Sequence, residues 1–180
     1  HLTRPAIEIP DRAALGMPSH FEAARGAYVM RDFRPGEPHG GTLFVQGTTS
    51  TANVVKVLPS LDERGLNVKI VACVSPQLFA MQDEAFRSAT ISTADRWDGM
   101  AITNRAWQTM RHWVEGPIAH DYSLSSDWDN RWRTGGTVEE VIEEAHLSPE
   151  YVLEGIERFV NDRPQRLARL REMADAAAAR

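Results

Sequence analysis

A chain of 180 residues, 42% hydrophobic and 25% charged, is long enough to bury one real core and too short for two ordinary domains with a linker. Its net charge of -5 argues against a nucleic-acid or acidic-membrane binder, which needs clustered Lys and Arg, and leaves local sites for small polar or anionic ligands. The single cysteine, Cys73, cannot form an internal disulfide and points to a reducing compartment, and no apolar run approaches the roughly 20 residues that span a bilayer. The expectation is a cytoplasmic protein with no signal-peptide pattern. The chain opens at His1 without a methionine, as a piece of something larger would; processing or a cloned fragment would look the same.

Residues 1–26 carry Pro5, Pro10, Pro18, Gly16 and Gly26 with little periodicity and read as an extended connecting segment, after which Ala27-Tyr-Val-Met-Arg31 adds one short strand. Arg34-Pro-Gly-Glu-Pro-His-Gly-Gly41 is a turn cluster, and the compact fold is expected to begin behind it. Thr42-Leu-Phe-Val-Gln46 then reads as a strand that turns at Gly47 into a helix, whose first residues Thr48, Thr49, Ser50 and Thr51 bring hydroxyls suited to a helix N-terminus. Val54, Val55, Val57, Leu58 and Leu61 form its apolar stripe, Pro59 is expected to kink it or tighten its last turn, and Gly65 closes it.

Asn67–Val74 is almost continuously apolar, as in a strand covered on both faces, and the intervening helix makes it parallel to the first. Met100–Thr103 and Ile118–Tyr122 read as shorter strands, separated by a helix over Arg105–Val114. A capping box at Thr137 to Glu140 opens a helix to about Ala145, and Ser148-Pro-Glu150 opens another. Pro164 interrupts, and Gln165–Ala178 reads as a final exposed helix. The alternation predicts an α/β fold, with a parallel or mixed sheet between helices and the Tyr28 strand as its fifth member.

Several of these segments fall in the order of one family. Val71-Ala-Cys-Val-Ser-Pro-Gln-Leu-Phe-Ala-Met-Gln-Asp-Glu-Ala-Phe-Arg87 resembles the second crossover of the C-terminal domain of transketolases, which are thiamin diphosphate-dependent enzymes. Leu2-Thr-Arg4 resembles the end of the family's pyrimidine-binding domain, and Arg25–Val29 resembles the small strand entering the C-terminal domain. Val45–Ser50 stands at the first strand-to-helix turn, and Asp127–Gly136 at a charged, glycine-containing loop. The likeness covers about residues 1–162. Departures mark a divergent branch: Pro-Ala-Ile-Glu follows Arg4 where members have Gln-Asn-Leu-Pro, Thr49 stands where a glutamate is usual, and the Trp-rich segment Asp95–Pro117 is longer.

The resemblance implies a three-layer α/β/α sandwich with about five mostly parallel strands and one antiparallel edge strand. It implies a linker from a preceding pyrimidine-binding domain over residues 1–40, the C-terminal-like domain over 41–162 and a helical tail over 163–180. Thiamin diphosphate and Mg2+ would be bound in the parent enzyme by upstream domains, fused or on a separate chain, and not by these residues. This domain would assist assembly and homodimerisation in an enzyme that transfers a two-carbon ketol unit between sugar phosphates or acts on a related 2-keto substrate. No catalytic residue is implied here, and the chain by itself is expected to be inactive. Arg4 inherits a contact to the substrate phosphate.

The residues themselves leave alternatives. Gly47 to Thr51 offers free N–H groups and hydroxyls at a helix start, which suits plain capping first and a phosphate or carboxylate site at Thr48, Thr49, Ser50 and Thr51 second. That second use would make the chain a stand-alone small-anion-binding or regulatory module. Gln82-Asp-Glu84 fits capping or an interface better than paired acid–base work, because adjacent helical residues diverge. Asp127–Arg133 reads as a loop locked by salt links and guanidinium stacking. The six histidines lack metal-ligand spacing, no serine elbow is present, and Arg163, Arg166 and Arg169 read as a solvated face.

Overall fold

Three apolar runs in this chain are buried at every position, and they form the middle of its sheet. The computed structural model describes residues 8–131, 133 and 135–179. Within them the strands are β1 (Ala27–Arg31), β2 (Thr42–Gln46), β3 (Lys69–Cys73), β4 (Gly99–Thr103) and β5 (Leu124–Ser125), in the order β1-β3-β2-β4-β5. β1 lies antiparallel to β3, with Ala27 opposite Cys73, and every other neighbour is parallel, Leu43 sitting beside both Ile70 and Met100. The expected mixed sheet with one antiparallel edge is therefore the one formed.

Side chains alternate between the two faces of a strand. Leu43, Val45, Ile70, Met100 and Ile102 pack on one face under α1 (Thr48–Glu63), where Val54, Val57, Leu58 and Leu61 are buried. Phe44, Val71, Cys73 and Ala101 pack on the other, under the short helices α2 (Pro76–Ala80), α3 (Glu84–Thr90) and α4 (Thr93–Trp97) and a 3-10 turn at Trp107–Met110. Further along the chain come α5 (Ala119–Tyr122), α6 (Val138–Glu144), α7 (Pro149–Asn161) and α8 (Arg163–Ala178). Helix α7 joins the first face through Val152, Ile156 and Phe159, which completes the α/β/α sandwich.

The local signals act largely as their chemistry dictates. Gly65 takes the left-handed conformation behind α1 (φ 67°), with its N–H on the Asp62 carbonyl and the Leu66 N–H on that of Leu61. Pro59 does not interrupt α1; it sits on the exposed side, where the acceptor it leaves unpaired can face water. Ser75 caps α2 and Asp83 caps α3, its Oδ1 accepting from the Phe86 N–H at 2.8 Å, so one carboxylate of the Gln-Asp-Glu segment is a cap. Thr137 and Glu140 form the expected capping box.

Other expectations are corrected. Ile118–Tyr122 is not a strand: residues 119–122 wind as α5, and the fifth strand is Leu124–Ser125. Ile118 and Ala119 are buried while His120 and Asp121 are exposed, a pattern that suits a helical turn and not the alternation of a strand. The helix expected over Arg105–Val114 is only the turn Trp107–Met110, because the Trp107 N–H is held by Asp127 Oδ1 at 2.9 Å and the Trp113 and Val114 N–H groups both converge on the Met110 carbonyl. Residues ahead of β1 are not wholly extended, since His20–Arg25 forms a 3-10 turn. Ser148 stands at the N-cap of α7, but its hydroxyl is buried without a partner.

The largest correction concerns the tail. Pro164 lies in the first turn of α8, and Arg166, expected in a solvated face, is 2% exposed. Its guanidinium pairs with Asp98, donates from Nε to the Phe159 carbonyl at 3.1 Å and from Nη2 to the Gly40 carbonyl at 3.0 Å, and lies over the Phe159 ring. Arg163 bonds the other Asp98 oxygen at 2.7 Å, and Arg169 reaches Asp121 at 2.8 Å. A three-residue spacing put all three on one side of a helix; that side faces two carboxylates that are distant in sequence.

Candidate functional site

The sheet order places a crevice. From β2 the chain crosses through α1 to β3 on one side, and from β3 through α2–α4 to β4 on the other, so the connections part at the carboxyl ends of β2 and β4. In sheets of this kind ligands favour that point. Thr48, Thr49, Ser50 and Thr51 sit there, in the first turn of α1, behind Gly47 at the N-cap.

Their hydroxyls do not cap the helix as expected. The N-cap makes no side-chain bond, and Thr51 Oγ1 instead donates back to the Gly47 carbonyl at 2.7 Å. Ser50 is fully buried and its Oγ has no partner. It lies one turn ahead of Asn53, whose Nδ2 donates to the Leu147 carbonyl at 2.7 Å, and so it faces the body of the domain and not the crevice. The Asn104 side chain lies against Gly47, whose φ of 100° favours glycine. Arg4, with Leu2 and Thr3, lies outside the described residues.

A second concavity runs along β5, the outer strand. It encloses about 400 Å3, within the range of small-molecule sites. Its far wall is a pile of three rings, Trp128, His146 and Tyr151, with centroids 4.3 Å apart at each step and interplanar angles of 21° and 14°. Trp107 and His120 meet edge to face at 5.2 Å on the near side. Asp127 ties these walls together: its Oδ1 accepts from the Trp107 N–H at 2.9 Å and from Ser125 Oγ at 2.7 Å. The following loop is locked by Arg133, which bonds Asp129 at 2.7 Å and the Ser126 carbonyl at 2.8 Å. Desolvation pushes the Asp129 carboxyl up, but the bonds from Arg131 and Arg133 outweigh it and hold the group at about 2. The salt-locked loop is as expected; Trp132 lies outside the described residues.

His146 is the residue that sequence reasoning passed over. It occupies the position just beyond the C-cap of α6, with its N–H on the Glu143 carbonyl, the Leu147 N–H on that of Ile142, and φ of 53°. Glycine is the usual occupant of such a site, because a Cβ costs energy there. The signal was present, since a helix ending at Ala145 puts His146 at the glycine position. Among the described residues no three His, Cys, Asp or Glu side chains gather where they could hold a metal ion, and no helix is long and apolar enough to cross a membrane.

A mostly parallel sheet covered on both faces, with a crevice at the carboxyl edge and one antiparallel outer strand, defines the class of this domain. Transketolases of known structure superpose on it. One from Pichia stipitis superposes with a TM-score of 0.62 at 15% identity, over 80% of this chain and 19% of its own. The Campylobacter jejuni enzyme gives 0.57 at 14% over 85% and 20%, and that from Leishmania mexicana 0.58 at 15% over 79% and 19%. The chain thus spans about a fifth of the length of these enzymes and has the transketolase C-terminal-like fold that its sequence resembles. No family model matches it, and no curated protein does.

Proposed function

We propose that the chain serves as the C-terminal assembly domain of a transketolase-like enzyme, in which thiamin diphosphate and Mg2+ are held by other domains, fused or on a separate chain. The observation that supports this is the shared fold over four-fifths of the chain, joined to ordered motifs that resemble the family's own. Among the described residues no three His, Cys, Asp or Glu side chains gather where they could hold the Mg2+. In this reading the domain packs on the pyrimidine-binding domain, assists homodimerisation, leaves ketol transfer to residues elsewhere, and works in the cytoplasm. Arg4 would reach the substrate phosphate from the connecting segment.

The test begins with the coding sequence on either side of this chain. A thiamin-binding domain is expected there, fused or adjacent. Ketol transfer and dimer formation are then measured for that partner with and without residues 1–180. Loss of dimer and activity on deletion is expected; full activity in a dimer lacking the domain, or no such domain nearby, would end the proposal. The alternative of a stand-alone small-anion module rests on the uncapped N–H groups of Thr48 to Ser50. It ranks second because the fold shared over four-fifths of the chain favours the assembly reading.

A further inference from the structure

The cavity along β5 has features that fold stability does not require. His146 sits where glycine would be less costly, and its ring is the middle layer of the Trp128–His146–Tyr151 pile. Backbone strain retained at a cavity wall is a mark of function when the strained side chain is what shapes the wall. Trp128, the outer member, is 49% exposed, which leaves ring surface open to a ligand. The rigid ties from Asp127 mean that little ordering is left to be done on binding.

The charges in the cavity then select the ligand. Glu154 and Arg158 lie four apart on α7, the favoured spacing and order for a helical ion pair, yet no bridge joins them. Arg158 also lines the cavity but is turned from Glu154: its Nη2 donates to the Asp121 carbonyl at 2.9 Å and its guanidinium lies 5.2 Å from the Tyr122 ring centroid. Asp121 is neutralised by Arg169 at 2.8 Å. Among the described residues Glu154 is therefore the acid lining the cavity that has no cationic partner, and it shares that lining with aromatic rings, whose faces attract cations.

We infer that the β5 cavity is a binding site for a small flat organic cation, such as a protonated or N-alkylated heteroaromatic ring, stacked on Trp128 with its positive charge toward Glu154. The site is separate from the Thr48–Thr51 turn and does not depend on the proposed enzyme. Its test uses the full chain alone, so failure here leaves the assembly reading standing, and the reverse.

N-methylquinolinium is titrated into the chain while the indole N–H resonances of the five tryptophans are followed by NMR. Saturable shifts are expected for Trp107 and Trp128 and not for buried Trp113. Quinoline-4-carboxylate, flat but anionic, should leave them unmoved. Glu154→Gln should weaken binding by about tenfold, the scale of a lost charged contact. His146→Gly relieves the left-handed strain but removes the middle ring of the pile, so it should weaken binding by a similar factor. Absence of saturation at millimolar probe, equal binding of the anion, or unchanged affinity in Glu154→Gln would each overturn the assignment.

Discussion

Asp98 joins two arginines of unequal standing. Arg166 is buried, and Arg163 is partly exposed beside it. An exposed pair contributes under about 1 kcal/mol, whereas removing one partner of a buried pair leaves an uncompensated charge and costs about 3–5 kcal/mol. Arg163→Ala is thus expected to barely move the urea midpoint, and Asp98→Asn to lower it sharply. Equal effects would show that the burial of Arg166 does not set the cost. Asp95 provides a pH counterpart. Burial pushes its carboxyl up, but bonds from Lys69 at 2.9 Å, Thr42 at 2.7 Å and Ser92 outweigh it and hold the group below its ordinary value. A lowered folded-state value contributes stability above the unfolded pKa of about 4 and loses it as pH falls through the folded one. Unfolding free energy should therefore decline below about pH 4, and the decline should be shallower in Asp95→Asn. A variant with an unchanged slope would assign the acid sensitivity to other carboxylates.

Helix α8 looks detachable from its sequence, with arginines at helical spacing and an Ala-rich end, and this is where reading by element runs out. Local chemistry made β2, β3, α1 and the starts of α6 and α7 legible, because continuous apolar runs, Thr-x-x-Glu, Ser-Pro and a trailing glycine act within a few residues. The fate of Arg166 depends on Asp98, 68 positions earlier, and on the Gly40 carbonyl, 126 positions earlier, and no local pattern encodes such partners. The β5 cavity was hidden for the same reason: Trp128, His146 and Tyr151 meet only after α6 turns back at His146. Truncation after Asp162 tests the integration of α8. It deprives Asp98 of both cations and uncovers Phe159, so Tm should fall by about 5 °C or more, at roughly 2–4 °C per kcal/mol for a domain of this size. A melt identical to that of the full chain would make α8 the independent tail its composition suggests.

At the scale of the molecule the two faces of the sheet are unequal. One is covered by long helices α1 and α7 with a large continuous core, including Leu61, Val152, Ile156 and Phe159. The other is covered by α2, α3, α4 and the Trp107 turn, each too short to be stable alone, packed through Phe79, Ile91, Met110 and Trp113. Buried polar atoms without partners occur in both layers, Ser50 Oγ and Ser148 Oγ in the first and Trp113 Nε1 and Arg87 Nε in the second, so they do not tell the faces apart. Segments built from short helices with fewer apolar contacts open before the rest. Hydrogen exchange should accordingly show α2–α4 and the Trp107 turn releasing their amides at lower free energy than α1, α7 and the doubly covered strands β2, β3 and β4. Phe79→Ala should speed exchange in the short-helix layer while sparing α1 and α7. Ile156→Ala, which leaves a cavity in the larger core and costs about 2–5 kcal/mol, should lower protection across the whole sheet. Uniform loss in both variants would mean that the layers unfold as one unit, and the packing asymmetry would then have no dynamic consequence.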